Sequence, residues 1–369
     1  ADPRDRERRL APKPYKRTSN NYPNLDEVRS FVTAPEDGRG YGLQLAVVGD
    51  LGQFPHSIDT ITRMMNHNHD ISTILLAGDI AYSQFNPANW DSFFDMLDDY
   101  PLLHNVPMQI AAGNHDIDPD HETGEIFVAY EERFLMPRVK EASMKPYKGE
   151  QSMMNMDRVP YPLHYEWGNS YYSFTYGPTR NIVLNSYSSM HPRSQQYKWL
   201  LEEFKAVDRQ LTPWLLVTMH CPMYNTFAVH QKDEQIIEAK KYLEPLFVQF
   251  RVNVVFAGHI HAYSRSYPTI DGKPNKRGPV HIVIGEGGRK AQSPFLHEQA
   301  EEWCEVRDAT IYGYGIFRPT TRHEAVWRWV HTGFEDDHNT VKHKNISLPM
   351  GGDDRIVIMN QWDVEEDDE

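Results

Sequence analysis

The stretch Gly258-His259-Ile260-His261-Ala262-Tyr263 follows the apolar run Val254-Val255-Phe256-Ala257, so it sits where a buried strand opens into a loop. Histidines at i and i+2 on extended backbone point to one face, and both rings can turn toward one centre. A single His-x-His is often just a pair of polar residues. Four further clusters change its weight: Gly49-Asp50-Leu51-Gly52, Gly78-Asp79-Ile80-Ala81-Tyr82, Gly113-Asn114-His115-Asp116 and Met219-His220-Cys221-Pro222. Each lies at the end of a run with strand character, where open α/β sheets place their sites. Glycine stands before the ligand type in most of them, letting the chain turn sharply and leaving room beside the main chain. One Gly-Asp after a strand is ordinarily a turn or a helix N-cap; five such clusters together call for another explanation.

The side chains collected this way are Asp50, Asp79, Tyr82, Asn114, His220, His259 and His261. This oxygen and nitrogen set, without a thiolate, suits hard or borderline metals and not a structural zinc knot. Seven donors are too many for one ion with an open position, whereas two ions sharing a carboxylate fit. Two metals roughly 3.5 Å apart form a clamp for phosphoryl displacement. Tyr82 reads either as a packed aromatic with its hydroxyl hydrogen-bonded or as a ligand, and as a ligand it selects a trivalent ion, because a phenol with a pKa of ~10 is hard for a divalent ion to hold ionised in acid. Asp79 and Tyr82 stand three apart, so a turn of helix after the strand would bring both to one ion.

The elements that must position these groups follow from periodicity. Leu43 to Val48, Ile71 to Ala77 and Val106 to Ala112 read as strands; Ile58, Ile61, Met64 and Met65, then Trp90, Phe93, Phe94 and Leu97, mark the helices between them. That alternation predicts a parallel sheet with right-handed crossovers. Ile126 to Phe134 reads as a helix and Met136 to Pro162 as a loop. Tyr171 to Tyr176 and Asn181 to Tyr187 form a hairpin around Gly177-Pro178. Helices over Tyr197 to Val207 and Ile236 to Phe250 alternate with strands ending at His220 and His259. Val280 to Ile284, Tyr314 to Arg318, Ala325 to His331 and Arg355 to Met359 then read as one antiparallel run. Residues 1–40 form an extended arm, 41–362 a single catalytic domain and 363–369 an acidic tail.

With 369 residues and 40% hydrophobic content the chain can bury a large core. A net charge of −14 repels phosphate backbones, which argues against a nucleic-acid face. No apolar run reaches membrane-spanning length. Eighteen histidines agree with a metal centre. Two cysteines, Cys221 and Cys304, allow one bridge without fixing the redox compartment. Asn345-Ile346-Ser347 is the single glycosylation sequon.

The ordered series G-D-L-G, G-D-I-A-Y, G-N-H-D, H-C-P-M-Y and G-H-I-H-A-Y resembles the purple acid phosphatases, metallophosphoesterases of the calcineurin-like superfamily. The likeness runs from about residue 43 to 335. It includes Tyr171-Tyr172-Ser173-Phe174, Pro213-Trp214-Leu215 and Tyr312-Gly313-Tyr314-Gly315. It implies a four-layer α/β/β/α sandwich with two mixed β-sheets. It also implies Fe(III) on Asp50, Asp79, Tyr82 and His261, and a second ion (Fe, Zn or Mn) on Asp79, Asn114, His220 and His259, with Asp79 bridging.

The resemblance further implies an acid phosphatase that hydrolyses phosphate monoesters by attack of hydroxide held at the metals. His115 and His230 bind phosphate and protonate the leaving group, and Tyr224 lines the substrate pocket with Asn114. Arg265 and Arg289 are candidates to hold phosphate, although ion pairs explain such arginines equally well. Small phosphorylated substrates, no membrane partner and a secreted or lysosomal/vacuolar location follow from the same likeness. The chain departs from its plant-type relatives at Ser264, where Glu is usual, and at Cys221, where many have Arg. About forty residues precede Leu43, too few for the β-sandwich domain those relatives carry there. A Mn- or Zn-dependent phosphodiesterase or nucleotidase with Tyr82 uncoordinated is the nearest alternative, and a non-catalytic phosphate or metal binder a more distant one.

Overall fold

In the computed structural model, residues 32–67, 70–100, 104–120, 123–137, 159–290, 293–334 and 354–363 are described. The first 31 residues of the arm, most of the Met136 to Pro162 stretch, Asn345 and residues 364–369 of the tail lie outside them. In the first part of the chain, β1 (Gln44–Val48), α1 (Pro55–Asn66), β2 (Ile71–Leu76), α2 (Pro87–Asp99), β3 (Met108–Ile110) and α3 (Val128–Arg133) alternate as the periodicity predicts. Next come β4 (Tyr172–Tyr176), β5 (Thr179–Val183), α4 (Gln195–Ala206), β6 (Trp214–Met219), α5 (Glu234–Gln249) and β7 (Val254–Ala257). The remaining strands are β8 (Tyr263–Ser266), β9 (Thr269–Ile270), β10 (Lys273–Pro274), β11 (Val280–Ile284), β12 (Cys304–Asp308), β13 (Ile311–Pro319), β14 (Glu324–Phe334) and β15 (Arg355–Met359).

Two mixed sheets result, in the order β15-β14-β13-β1-β2-β3 and β12-β8-β11-β7-β6-β5-β4, with β9 and β10 as a separate pair. Strands β1, β2 and β3 run parallel, as do β5, β6, β7 and β11. The carboxyl ends of each parallel set therefore lie on one edge of its sheet. Alternation along each strand divides the core. Leu45 and Val47 of β1 meet Leu216 of β6, Phe256 of β7 and Trp327 of β14 in the apolar layer between the sheets. Ala46 and Val48 face the opposite way, onto Ile61 and Met64 of α1 and Trp90 and Phe93 of α2. Leu215, Val217 and Met219 of β6 pack outward against Phe204 of α4 and Leu243 of α5. Strands buried on both faces explain why their sequences read as continuous apolar runs. This is the four-layer sandwich expected from the sequence.

Some expectations change. Val280 to Ile284 does not join the terminal antiparallel run; as β11 it enters the second sheet, parallel to β7 and antiparallel to β8. Only β13, β14 and β15 form the antiparallel run. The hairpin is present, but its second strand starts at Thr179 and stops at Val183, because the chain leaves the sheet at Leu184 toward the site. Both cysteines are free and buried, on different elements, so the possible bridge is not made. No helix among the described residues is long and apolar enough to cross a membrane.

On β11, His281 is buried, and its Nε2 has no hydrogen-bond partner. Burial, with the Lys240 ammonium adding to it, pushes this imidazole down to about 3 from 6.5. Below pH 6.5 the unfolded chain takes up a proton that the folded chain refuses. Stability contributed by the neutral ring is thus lost as pH falls from about 6.5 to about 3. At pH 5 the loss is about 2 kcal/mol. Urea unfolding at pH 7 and pH 5 should show His281→Phe losing less stability on acidification than the parent chain; equal losses would contradict this account.

Candidate metal centre

Six strand ends meet at the edge where the two sheets come together. Asp50 follows β1, Asp79 and Tyr82 follow β2, and Asn114 and His115 follow β3. From the second sheet, Ser186 and Tyr187 come after β5, His220 after β6, and His259 and His261 after β7. Backbone bonds lock these turns together, Gly49 N–H to Ile284 C=O at 2.8 Å across the sheets and Gly258 N–H to His220 C=O at 2.9 Å within one. Gly78 has φ +85°, and any Cβ there would overlap the His220 imidazole. Gly258 is equally constrained, since its Cβ would collide with the Asp50 carboxylate.

The donors fall into two adjoining groups. The Tyr82 hydroxyl lies 2.9 Å from Asp50 Oδ1 and 3.0 Å from His261 Nε2. Asn114 Oδ1 lies 3.0 Å from His220 Nε2 and 3.1 Å from His259 Nδ1. Asp79 Oδ1 is 3.4 Å from His220 Nε2, and donor atoms of Asp50, Asp79 and His220 all lie within 4.8 Å of one another. All seven side chains picked from the sequence are brought together.

The chemistry of this cluster favours a cation. His220 Nδ1 sits 2.8 Å from the Ala77 carbonyl, which only accepts, so Nδ1 carries the proton and Nε2 a lone pair. That lone pair faces two more acceptors, Asn114 Oδ1 and Asp79 Oδ1. Protonating the ring would relieve the conflict, but burial pushes His220 below the usual histidine range. Burial, then the carboxylates of Asp50 and Asp116, push Asp79 well above the ordinary carboxylate range. Burial also raises Asp50, yet the His261 hydrogen bond and the charges of His220, His261 and His259 outweigh it and leave the carboxyl low. Tyr82 is held far above ordinary phenols by burial and the Asp50 charge. Positive charge is what would reconcile these groups, so the donor set fits a pair of metal ions.

Residues 43–263 match the family model for calcineurin-like phosphoesterases. The chain belongs to that family. Residues 278–342 match the model for iron/zinc purple acid phosphatase-like protein C, which puts it in the purple acid phosphatase branch. Purple acid phosphatase 22 of Arabidopsis thaliana is 31% identical over 320 residues, covering 85% of this chain and 64% of that protein. The purple acid phosphatase of Glycine max is 32% identical over 317 residues, 81% of this chain and 62% of its own. The chain thus spans just under two thirds of the length of these curated relatives. Among solved structures, purple acid phosphatase PPD1 from yellow lupin (Lupinus luteus) seeds superposes with a TM-score of 0.66 at 19% identity, over 85% of this chain and 55% of the other, and so shares its fold.

Around the donors of this phosphoesterase stand residues that spacing alone did not single out. Asp116 accepts from the N–H groups of Gly113, Asp79 and Ile80, tying the β2 and β3 loops together. The Tyr187 hydroxyl donates to Asn114 Oδ1 at 2.9 Å, and Ser186 Oγ accepts from His220 N–H. Asp233 is the N-cap of α5 but leaves the helix uncapped; its Oδ2 lies 2.8 Å from His230 Nδ1 and 3.4 Å from His259 Nε2. A carboxylate three residues after a candidate histidine was the available signal, and it reads equally as an ordinary helix start. Such outer partners orient metal-binding rings and fix their tautomers.

Local geometry differs from the sequence reading at several points. His259 is not extended but left-handed, φ +69°, so its ring and that of His261 reach different donor groups. No helical turn joins Asp79 to Tyr82; both have left-handed backbone, φ +53° and +51°, and these two kinks do the aiming. Arg265 is buried, with its guanidinium paired to Asp354 and Glu305, which leaves it no phosphate role. Arg289 lies 5.4 Å over the Tyr82 ring, at the site. His115 Nδ1 is 2.9 Å from Gln84 Nε2, and the His230 and His259 rings are 4.0 Å apart. Tyr224 faces a side cavity shared with His230, and its hydroxyl donates to Glu244. Gly78→Ala should push His220 aside and lower metal affinity about 10- to 100-fold, the range for disturbed outer partners. Elemental analysis after dialysis against graded chelator measures it, and unchanged retention would contradict the close approach.

Proposed function

We propose that this chain is an acid phosphatase acting on phosphate monoesters at a dinuclear centre. The reading is carried by the close meeting of His220 Nε2, Asn114 Oδ1 and Asp79 Oδ1 beside the Asp50–Tyr82–His261 group. Asp50, Asp79, Tyr82 and His261 would hold Fe(III); Asp79, Asn114, His220 and His259 would hold a divalent Fe, Zn or Mn ion. Such a pair supplies charge neutralisation for the phosphate and an acidified water.

The protein's own groups do the rest. Gln84 can donate to His115 Nδ1, which leaves the His115 Nε2–H, 4.0 Å from Asp79 Oδ2, to hold a phosphate oxygen. Water oxygen bonds to phosphorus as the ester P–O bond breaks opposite it. The departing oxygen takes its proton from His230, which Asp233 grips through Nδ1 and so leaves Nε2 to serve as acid. Arg289, over the Tyr82 ring, adds positive charge beside the Asp50–Tyr82–His261 group. Small phosphorylated molecules are the substrates, and an acid compartment, secreted or lysosomal/vacuolar, suits this chemistry.

Asp79→Ala should remove both metals and reduce turnover of a chromogenic phosphate monoester at least about 10³-fold, the scale of losing a principal electrostatic element. Tyr82→Phe should abolish the visible charge-transfer band while leaving measurable turnover. A parent chain that binds metal and hydrolyses esters without that band would favour the Mn- or Zn-dependent relative instead. His230→Ala should lower kcat about 10²- to 10⁴-fold for poor leaving groups and less for good ones; an equal loss for both would rule out His230 as the acid.

A further inference from the structure

Beside the metal centre lies a cavity of about 970 Å³, between α5 and the loops before β11 and β12. That is near the upper end of the roughly 300–1,000 Å³ typical of small-molecule sites and far more than a phosphate group needs. His230 lines it, and the same ring stands 4.0 Å from His259, so the cavity adjoins the centre through the proposed acid. Its walls mix apolar side chains, Ile237, Val248 and Trp303 among them, with polar and charged ones. Tyr224 is held rigidly there, donating to Glu244 and accepting from Gly272 N–H at 2.9 Å.

The charges within it are unequal in freedom. Three carboxylates line it: Glu244 Oε1 accepts from Tyr224 and from the Asp271 N–H, Glu301 Oε2 accepts from Thr226 while its Oε1 is buried without a partner, and Asp271 is the third. Lys240 is half-buried, with Nζ 4.5 Å over the Tyr224 ring, and it enters no ion pair among the described residues. Next to it, Lys241 is exposed and rests on the Tyr242 ring. A half-buried ammonium over an aromatic ring, outside any ion pair among the described residues, is the point in this mixed cavity that favours an anion attached to an apolar body.

We infer that this cavity is the leaving-group subsite, and that it selects phosphomonoesters whose leaving group joins an aromatic or apolar body to a second anionic group paired with Lys240. The inference rests on the phosphatase reading above. When the ester bond breaks, the leaving oxygen protonated at His230 is already on the side of the cavity, so the group departs into the space that bound it.

The test compares kcat/KM for phenyl phosphate, 2-naphthyl phosphate and 6-sulfonato-2-naphthyl phosphate with the metal-loaded chain. The parent should prefer the sulfonated naphthyl ester over the plain one. Lys240→Met, which keeps the packed stem and removes the charge, should lower that preference about tenfold, the scale of a hydrogen bond to a charged group. Ile237→Glu, at a position 55% exposed, should lower it in the same direction by adding a negative charge at the rim. Comparing ratios between variants cancels the sulfonate's effect on the leaving group itself. If both variants keep the parent's ratio while phenyl phosphate is still hydrolysed, the subsite is refuted and the phosphatase reading survives. If the parent hydrolyses none of the three esters, the phosphatase reading falls and this one with it.

Discussion

Crowded buried acceptors that only a proton or a cation can reconcile are the constraint on which this structure turns. His220 Nε2, Asn114 Oδ1 and Asp79 Oδ1 meet within 3.0 to 3.4 Å, and the Ala77 carbonyl prevents His220 from resolving the conflict by changing tautomer. Tyr187 serves Asn114 Oδ1 and the His115 N–H serves Asp79 Oδ1, so the cost of about 1–3 kcal/mol for a buried acceptor without a donor falls on His220 Nε2. A fold keeps such an arrangement when a cation satisfies it. Metal binding is then linked to folding, because ions that bind the folded chain alone stabilise it by mass action.

Bringing that many acceptors to one place requires strands that end together. Two parallel strand sets, three from one sheet and four from the other, provide this by aligning their carboxyl ends. The turns that follow are strained. Asp50, Asp79, Tyr82, His230 and His259 all have left-handed backbone, with φ between +51° and +69°. Such conformations cost of order 1–3 kcal/mol for residues with a Cβ and persist where surrounding contacts over-determine them. Here the contacts are those between turns: Asp116 collecting three N–H groups, His259 N–H on Asp50 Oδ2 at 2.7 Å, and Gly49 bonded across the sheets to Ile284.

The second level of support lies behind the site. Strand β8, which continues from the His261 turn, carries Tyr263 and Arg265. Tyr263 stacks on Trp329 at 3.9 Å, and its hydroxyl accepts from Trp327 Nε1 and donates to Asp354, which also holds Arg265 through two oxygens. A buried arginine paired on both sides stays charged and satisfied, so it ties β8 of one sheet to Asp354, next to β15 of the other. The Arg265 that looked available for phosphate from its place near the motif is instead a fixed point for the turn ahead of it.

Much of this was legible in the amino-acid order. Apolar runs ending in Gly-Asp, Gly-Asn-His or Gly-His-x-His announce buried strands with metal-binding residue types at their tips, because burial on both faces and metal binding each demand a narrow set of residue types. The donor set, the alternation of β1 to β3 with helices and the terminal antiparallel strands all followed from such local demands. What the order of residues left open is which turns meet and how each side chain is aimed. The kinks at Asp79, Tyr82 and His259, the placement of β11 in the second sheet, the separation of Cys221 from Cys304, and the grip of Asp233 on His230 depend on contacts between residues far apart in the chain. Residue type limits what a position can do, but a left-handed turn or a shared proton is decided by the neighbours that folding brings to it.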